Sequence, residues 1–294
     1  IISMGPPSSG GACLLQMLKM LEPFDLTHFG LHSCESIHCI VEAEKRAFAD
    51  RSKYMGDPDF IDVPLTQLLD SLYLKQRMSN FNLTQATLSD SILPGNFDFK
   101  ESDQTTHYSI VDSYGNAVSV TTTLNSSFGS GVVVGGAGFL LNNEMDDFSS
   151  KPGEPNLYGL VGGEANSIQP NKRMLSSMTP TILEKDGELF MVVGTPGGST
   201  IITGVLQTIL NVIEYDLSIQ DAVSIGRFHH QWRPDEIKIE NNRFDSLVIQ
   251  QLKQMGHSFN TVNSMNRVDA IIIRSDGNLE AGADPRGDDA ASGF

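Results

Sequence analysis

Three observations predict an α+β fold. Apolar residues recur at helical spacing through the first third of the chain, strand-type runs with tight-turn dipeptides follow residue 105, and among those runs lies one helix that is apolar on both sides. Leu14, Leu15, Leu18 and Leu21 follow a helical period after the turn at 6–11, and Ile37, Val41 and Phe48 do so in the next segment. Pro64 suits a first helical turn, so a third helix is expected there with Leu65, Leu68, Leu69 and Leu72 on one face. The polar stretch 79–103, with Pro94-Gly95-Asn96, reads as an exposed connection.

After it the pattern changes. Tyr108 to Val111, a turn at 113–116 and the Val- and Thr-rich run Ala117 to Leu124 read as a hairpin. Asp186-Gly187 and Asp276-Gly277 mark two further hairpins, because such dipeptides supply the positive φ of a tight turn. Between these pairs, Ile201, Val205, Ile209 and Ile213 repeat once per helical turn, with Ile202, Leu206 and Leu210 on another side; a helix of this kind must be buried between layers.

Composition narrows the function class. The 294 residues carry a formal net charge of −16 and no cluster of Lys and Arg, which argues against a nucleic-acid partner, since phosphate binding works by counterion displacement. The longest apolar stretch, Ile201 to Ile213, is broken by Gly204, Gln207, Thr208 and Asn211 and falls short of a bilayer span. The first residues lack the basic and apolar regions of a signal peptide. Three cysteines, an odd number, make no disulfide scaffold.

Candidate chemistry begins at Gln104-Thr105-Thr106-His107, where a polar connector meets the first strand. Alone, a Thr pair there is explained by β-propensity. Its context is a series of polar and Gly-rich clusters at 124–129, 141–148, 175–180 and 194–199 that extended structure has no need of. In Gly197-Gly198, followed by Ser199-Thr200 and the buried helix, the missing Cβ atoms let backbone N–H groups approach a ligand where a helix start favours negative charge. A plain strand-to-helix turn is the other reading of the same pair. Adjacent His229 and His230 point to opposite faces of an extended chain, which is unsuited to one metal, and Cys34, His38 and Cys39 read as buried helix residues.

With Pro170-Asn171-Lys172-Arg173, Arg227-Phe228-His229-His230-Gln231-Trp232 and Asp284-Pro285-Arg286 in one order, the whole chain resembles the γ-glutamyltransferase family of N-terminal-nucleophile hydrolases. The resemblance implies a four-layer αββα sandwich and a precursor that cuts itself between Gln104 and Thr105. Residues 1–104 then match the C-terminal part of a large, mainly helical subunit and 105–294 a complete small one, with the N-terminal part of the large subunit, including its carboxylate-binding arginine, expected as a partner outside these residues. Thr105 is the implied nucleophile. Its freed α-amine, with a reference pKa of about 7.7–8.0, can serve as its base. By the same resemblance Thr123 orients Thr105, Gly197 and Gly198 form an oxyanion hole, Asn125, Glu144 and Asp147 take a substrate ammonium, and Ser176 and Ser177 hold its carboxylate. Residues 151–163 resemble a lid with Tyr158 as its gate, while Arg286 is read as structural. Expected substrates are glutathione or other γ-glutamyl compounds, with water, amino acids or dipeptides as acceptors. No cofactor and no metal is expected, and the location implied is periplasmic, secreted or cell-surface. A glutaryl- or cephalosporin-type acylase, or an uncut binding protein, are the rival readings.

Overall fold

The computed structural model describes residues 1–95 and 107–293. Gln104 and Thr105, and with them the expected cleavage site, lie outside the described residues. The first part contains β1 (Ile2–Ser3), α1 (Gly10–Leu21), α2 (Leu26–Phe29), α3 (Cys34–Tyr54), α4 (Leu65–Leu68) and α5 (Ser71–Arg77). The second begins with β2 (His107–Val111) and β3 (Ala117–Thr121), then β4 (Thr181–Lys185), β5 (Glu188–Gly194), α6 (Thr200–Ile213) and α7 (Ile219–Ser224). It closes with β6 (Phe228–His229), β7 (Ile237–Glu240), α8 (Ser246–Gln254), β8 (Phe259–Val262), β9 (Asp269–Ile273) and β10 (Leu279–Gly282).

A five-stranded antiparallel sheet in the order β1-β4-β5-β9-β10 forms the middle of the molecule. On β5 the side chains alternate: Met191 and Val193 join the core shared with α1, α3 and α6, and Val192, also fully buried, belongs to the opposite face. The β2–β3 hairpin packs against β4, β5 and β9, with the Ser119 hydroxyl donating to the Val193 carbonyl at 3.2 Å. Helices, sheet and hairpin thus lie in layers, as the α+β prediction requires. A smaller sheet, β6-β7-β8, closes one flank.

Helix α6 is buried from Thr200 to Val212, as its two-sided apolar pattern demands. Its mid-helix Gly204 has a packing reason, since a Cβ there would lie 2.2 Å from the Asn266 side-chain nitrogen. Helix α3 is buried almost all round although much of its surface is charged. Several of its buried charges are paired: Arg46 meets Glu42 at 2.7 Å and Asp50 meets Arg77 at 3.1 Å, while burial raises the pKa of Glu44, which accepts from the His230 amide at 2.8 Å. The Ser33 side chain caps the start of α3 by accepting from the Ser36 amide.

One expectation changes. The single helix after Pro64 is two, because the Asp70 side chain accepts from the Tyr73 amide at 2.8 Å and starts α5 afresh, leaving Leu72 exposed. The connection after residue 79 is also anchored: Trp232 donates to the Ser89 and Ile92 carbonyls at 2.9 and 3.0 Å, and Lys45 to the Thr87 carbonyl at 2.8 Å. Elements on both sides of the 104–105 boundary share one core, with α1 against α3 and α6 and β1 paired to β4.

Candidate active site

Strand β2 starts at His107, whose ring is fixed on both nitrogens, 2.8 Å from the Thr121 hydroxyl and 2.9 Å from that of Ser109. The ring also occupies the space where a Cβ on Gly194 would sit. Burial pulls its pKa down to about 4, so it is a neutral anchor that sets the direction of the chain two residues after Thr105.

A cleft of about 870 Å³ opens just past the end of β3, lined from Thr122 onward. Five of the predicted residues line it: Thr123 and Asn125 from the segment after β3, Tyr158 from the 151–163 segment, and Gly197 and Gly198 at the start of α6. The Thr123 Oγ1 accepts from the Asn125 amide at 2.8 Å and so shapes the turn in which Asn125 takes φ +72°. Gly197 and Gly198 have φ +139° and +58°, and the Tyr158 ring packs so closely on Gly198 that a Cβ there would lie 2.6 Å from it. The Tyr158 hydroxyl reaches across to Asn125 Oδ1 at 2.7 Å. Tyr158, the turn at Asn125 and the helix start therefore face one another.

The other predicted residues are divided between two places. Asp147 is buried and lines a separate cavity of about 140 Å³ with Arg51, Asn156 and Leu160. Ser177 is bound to the same arginine, whose Nη2 donates to its hydroxyl at 3.3 Å, while the Ser176 Oγ accepts from the Met178 amide at 2.9 Å. Glu144 is half-buried beside Asn143, which accepts from Asn125 Nδ2 at 3.2 Å through its carbonyl; burial raises the Glu144 pKa. Neither Ser176, Ser177, Asp147 nor Glu144 lines the large cleft, and the 151–163 segment runs along both cavities.

Sequence reasoning missed Arg51, which has no local motif and meets Ser177 only through the fold, and it missed Asn266. The Asn266 amide donates to the Thr200 carbonyl at 2.8 Å and accepts from Arg227 at 2.9 Å, so it holds the helix start beneath Gly197. Arg286 lines the cleft, but its guanidinium is taken up by Glu240, Asp284 and the Val223 and Ile225 carbonyls. His229 and His230 diverge, the first to Thr203 and Gln231 and the second to Asp235. Among the described residues His38, Glu42 and His257 place potential ligand atoms within 4.8 Å of one another. Glu42 there is already engaged by Arg46 and the Thr87 amide, and His38 by His257 at 2.7 Å. Among the described residues, no helix is long and apolar enough to cross a membrane.

The family model for gamma-glutamyltranspeptidase matches residues 1–294. A glutathione hydrolase proenzyme of Escherichia coli is 48% identical over 295 residues, covering 100% of this chain and 51% of its own length. The chain thus spans about half the length of the curated relatives it matches. Among solved structures, a mutant gamma-glutamyltranspeptidase from Helicobacter pylori is 56% identical with a TM-score of 0.60, its whole chain matching 62% of this one. A cephalosporin acylase from Bacillus halodurans matches 99% of this chain with 50% of its own, at 26% identity and a TM-score of 0.84.

Proposed function

The chain belongs to the γ-glutamyltranspeptidase family, and we propose that it carries the nucleophile and much of the pocket of a glutathione hydrolase that cuts itself between Gln104 and Thr105. The observation that carries this reading is the single cleft onto which Thr123, Asn125, Tyr158, Gly197 and Gly198 converge from three separate stretches of sequence. The Thr105 hydroxyl first attacks the Gln104 carbonyl; the peptide C–N bond then breaks, which frees the Thr105 amine and leaves the Gln104 acyl group as an ester on the Thr105 oxygen, and water hydrolyses that ester to a Gln104 carboxylate and a free Thr105 hydroxyl. That amine takes the hydroxyl proton when the same hydroxyl attacks the γ-glutamyl carbonyl, and returns it to the substrate amine that departs as the γ-amide C–N bond breaks. Backbone N–H groups at Gly197-Gly198 face the developing oxyanion, and water or an amino-acid acceptor takes the acyl group from Thr105. Because one core spans the cut, the two pieces stay together.

The substrate's α-carboxylate and α-ammonium ask for donors and acceptors respectively. Arg51 beside Ser177, with Asp147 on the same cavity, supplies groups of both kinds, and the N-terminal part of the large subunit is the partner that completes the pocket. A periplasmic, secreted or cell-surface location accompanies this reading, and cell fractionation tests it.

Intact mass of the full-length protein and its Thr105→Ala variant, with chromophore release from a γ-glutamyl anilide, tests the core of the proposal. The native protein splits before Thr105 and releases chromophore while the variant does neither. A native protein that stays whole and inert turns the reading to a binding role, and preference for a glutaryl over a γ-glutamyl anilide turns it to the acylase side of the family.

A further inference from the structure

We propose that Gln231 is a positioning residue that latches the Tyr158 gate, its side-chain amide holding the backbone of the 151–163 segment at the Tyr158 carbonyl. Gln231 Nε2 lies 3.1 Å from that carbonyl and 3.3 Å from the carbonyl of Arg233. Two acceptors on one side fix the orientation of the amide: the NH2 faces them, and Oε1 is left to face His229 Nε2 at 2.9 Å. An amide oxygen only accepts, so His229 donates from Nε2 and presents an unprotonated Nδ1 to the Thr203 hydroxyl 2.8 Å away.

The three side chains Gln231, His229 and Thr203 are all buried. Burial depresses the His229 pKa to about 3, which keeps the ring in the neutral tautomer that this chain of bonds needs. Thr203 belongs to the first turn of α6, directly after Gly197-Gly198. One line of hydrogen bonds therefore joins the helix that carries the glycine pair to the backbone of the segment that covers it. Tyr158 is held at both ends, by its hydroxyl at Asn125 and by its carbonyl at Gln231. The close approach uses Gly159, where φ is +74° and a Cβ would lie 3.3 Å from Gln231 Nε2.

The latch itself stands on this geometry, and its effect on substrate rests on the γ-glutamyl reading above. Gln231→Glu keeps the size and the acceptor for His229 but turns an oxygen toward the Tyr158 carbonyl. Gly159→Ala strikes the same contact from the segment's side, its Cβ meeting the buried Gln231 amide, and adds the strain of an L-residue at φ +74°. Hydrogen exchange on the full-length protein should show residues 151–163 exchanging about tenfold faster in both variants, with 200–213 unchanged. KM for a γ-glutamyl anilide should rise several-fold while kcat stays within about twofold. Should Gln231→Glu not fold, Gly159→Ala decides. Unchanged exchange in 151–163, or equal acceleration in 200–213, overturns the latch, and faster exchange with a fall in kcat alone overturns its role in substrate positioning. A wild-type protein inert toward the anilide would sink the functional reading and leave the exchange result to decide the latch.

Discussion

The Tyr158 hydroxyl donates to Asn125 Oδ1 at 2.7 Å, a bond that spans the mouth of the cleft between a surface segment and the turn after β3. The same hydroxyl lies 3.1 Å from the Asn125 carbonyl, so its one proton has two acceptors on one residue. Tyr158→Phe removes the bond and keeps the ring on Gly198. A neutral hydrogen bond contributes about 0.5–1.5 kcal/mol net, so kcat/KM for a small γ-glutamyl donor should fall roughly 2- to 12-fold, mainly through KM. Relative activity on a bulkier acyl anilide should rise. Steady-state kinetics on the two substrates checks this, and an unchanged selectivity ratio would show that the bond does not gate the cleft.

The two glycines at the helix start should respond differently to alanine. Gly198 is left-handed at φ +58°, which an L-residue adopts at a cost of about 1–2 kcal/mol, and the clash there is with the Tyr158 ring, which can swing away. Gly197, at φ +139°, has no such refuge, and its Cβ would lie 2.7 Å from Asn266 Cβ. Gly197→Ala must move backbone, and if those amides face the oxyanion, kcat should drop by about 10²–10³. Gly198→Ala should keep the fold and behave like an opened gate. A Gly197→Ala protein with wild-type kcat would remove the pair from the chemistry.

How much of this was readable beforehand depends on range. Helices α1, α3 and α6 and the hairpins at Asp186-Gly187 and Asp276-Gly277 follow from local period and turn chemistry, and the structure has them all. The break between α4 and α5 was hidden because Leu65, Leu68, Leu69 and Leu72 keep helical spacing across it while the Asp70 cap competes locally. The tyrosine, the glycines and Asn125 were found through motif resemblance. Arg51 and Asn266 were not, since their partners lie 126 and 66 residues away and nothing in their own neighbourhood marks them; Gln231 stands inside the motif at 227–232, but its partner Tyr158 is 73 residues away and the motif alone gives it no role.

Asp269 gives a pH prediction with a definite sign. It begins β9 opposite Gly194, and burial, with Asp289 and Asp284 nearby, raises its pKa from 3.8 to about 6. The folded state then binds more protons than the unfolded state between about pH 4 and 6. This group's contribution to stability falls as pH rises through that window, and above pH 6 the ionised carboxylate opposes folding in full. Asp269→Asn should therefore raise Tm above pH 6 and leave it unchanged below pH 4, as thermal melts across the range would show. An equal shift at all pH values would mean that the charge is not the cause.

The buried ion network behind the cleft wall should break unevenly. Arg286 meets Glu240 with two bonds of 2.5 Å and Asp284 at 3.1 Å, and Asp284 also meets Arg227 at 2.6 Å. Glu240 additionally accepts from the Arg227 and Met265 amides at 3.0 and 2.9 Å. Glu240→Leu leaves Arg286 only Asp284 and two backbone carbonyls and orphans two buried backbone amides, so it should cost roughly the 3–5 kcal/mol of a broken buried ion pair, about 10 °C in Tm. Arg286→Met leaves Glu240 its two amides and Asp284 its other arginine, so it should cost clearly less. Asp284→Asn falls between, because each arginine keeps some partners: Arg227 holds Val223 and Asn266, and Arg286 holds Glu240. Chemical denaturation of the three variants tests the order. If Arg286→Met proved as damaging as Glu240→Leu, the energy would lie in the packing of the arginine stem along the cleft rather than in the accounting of charge.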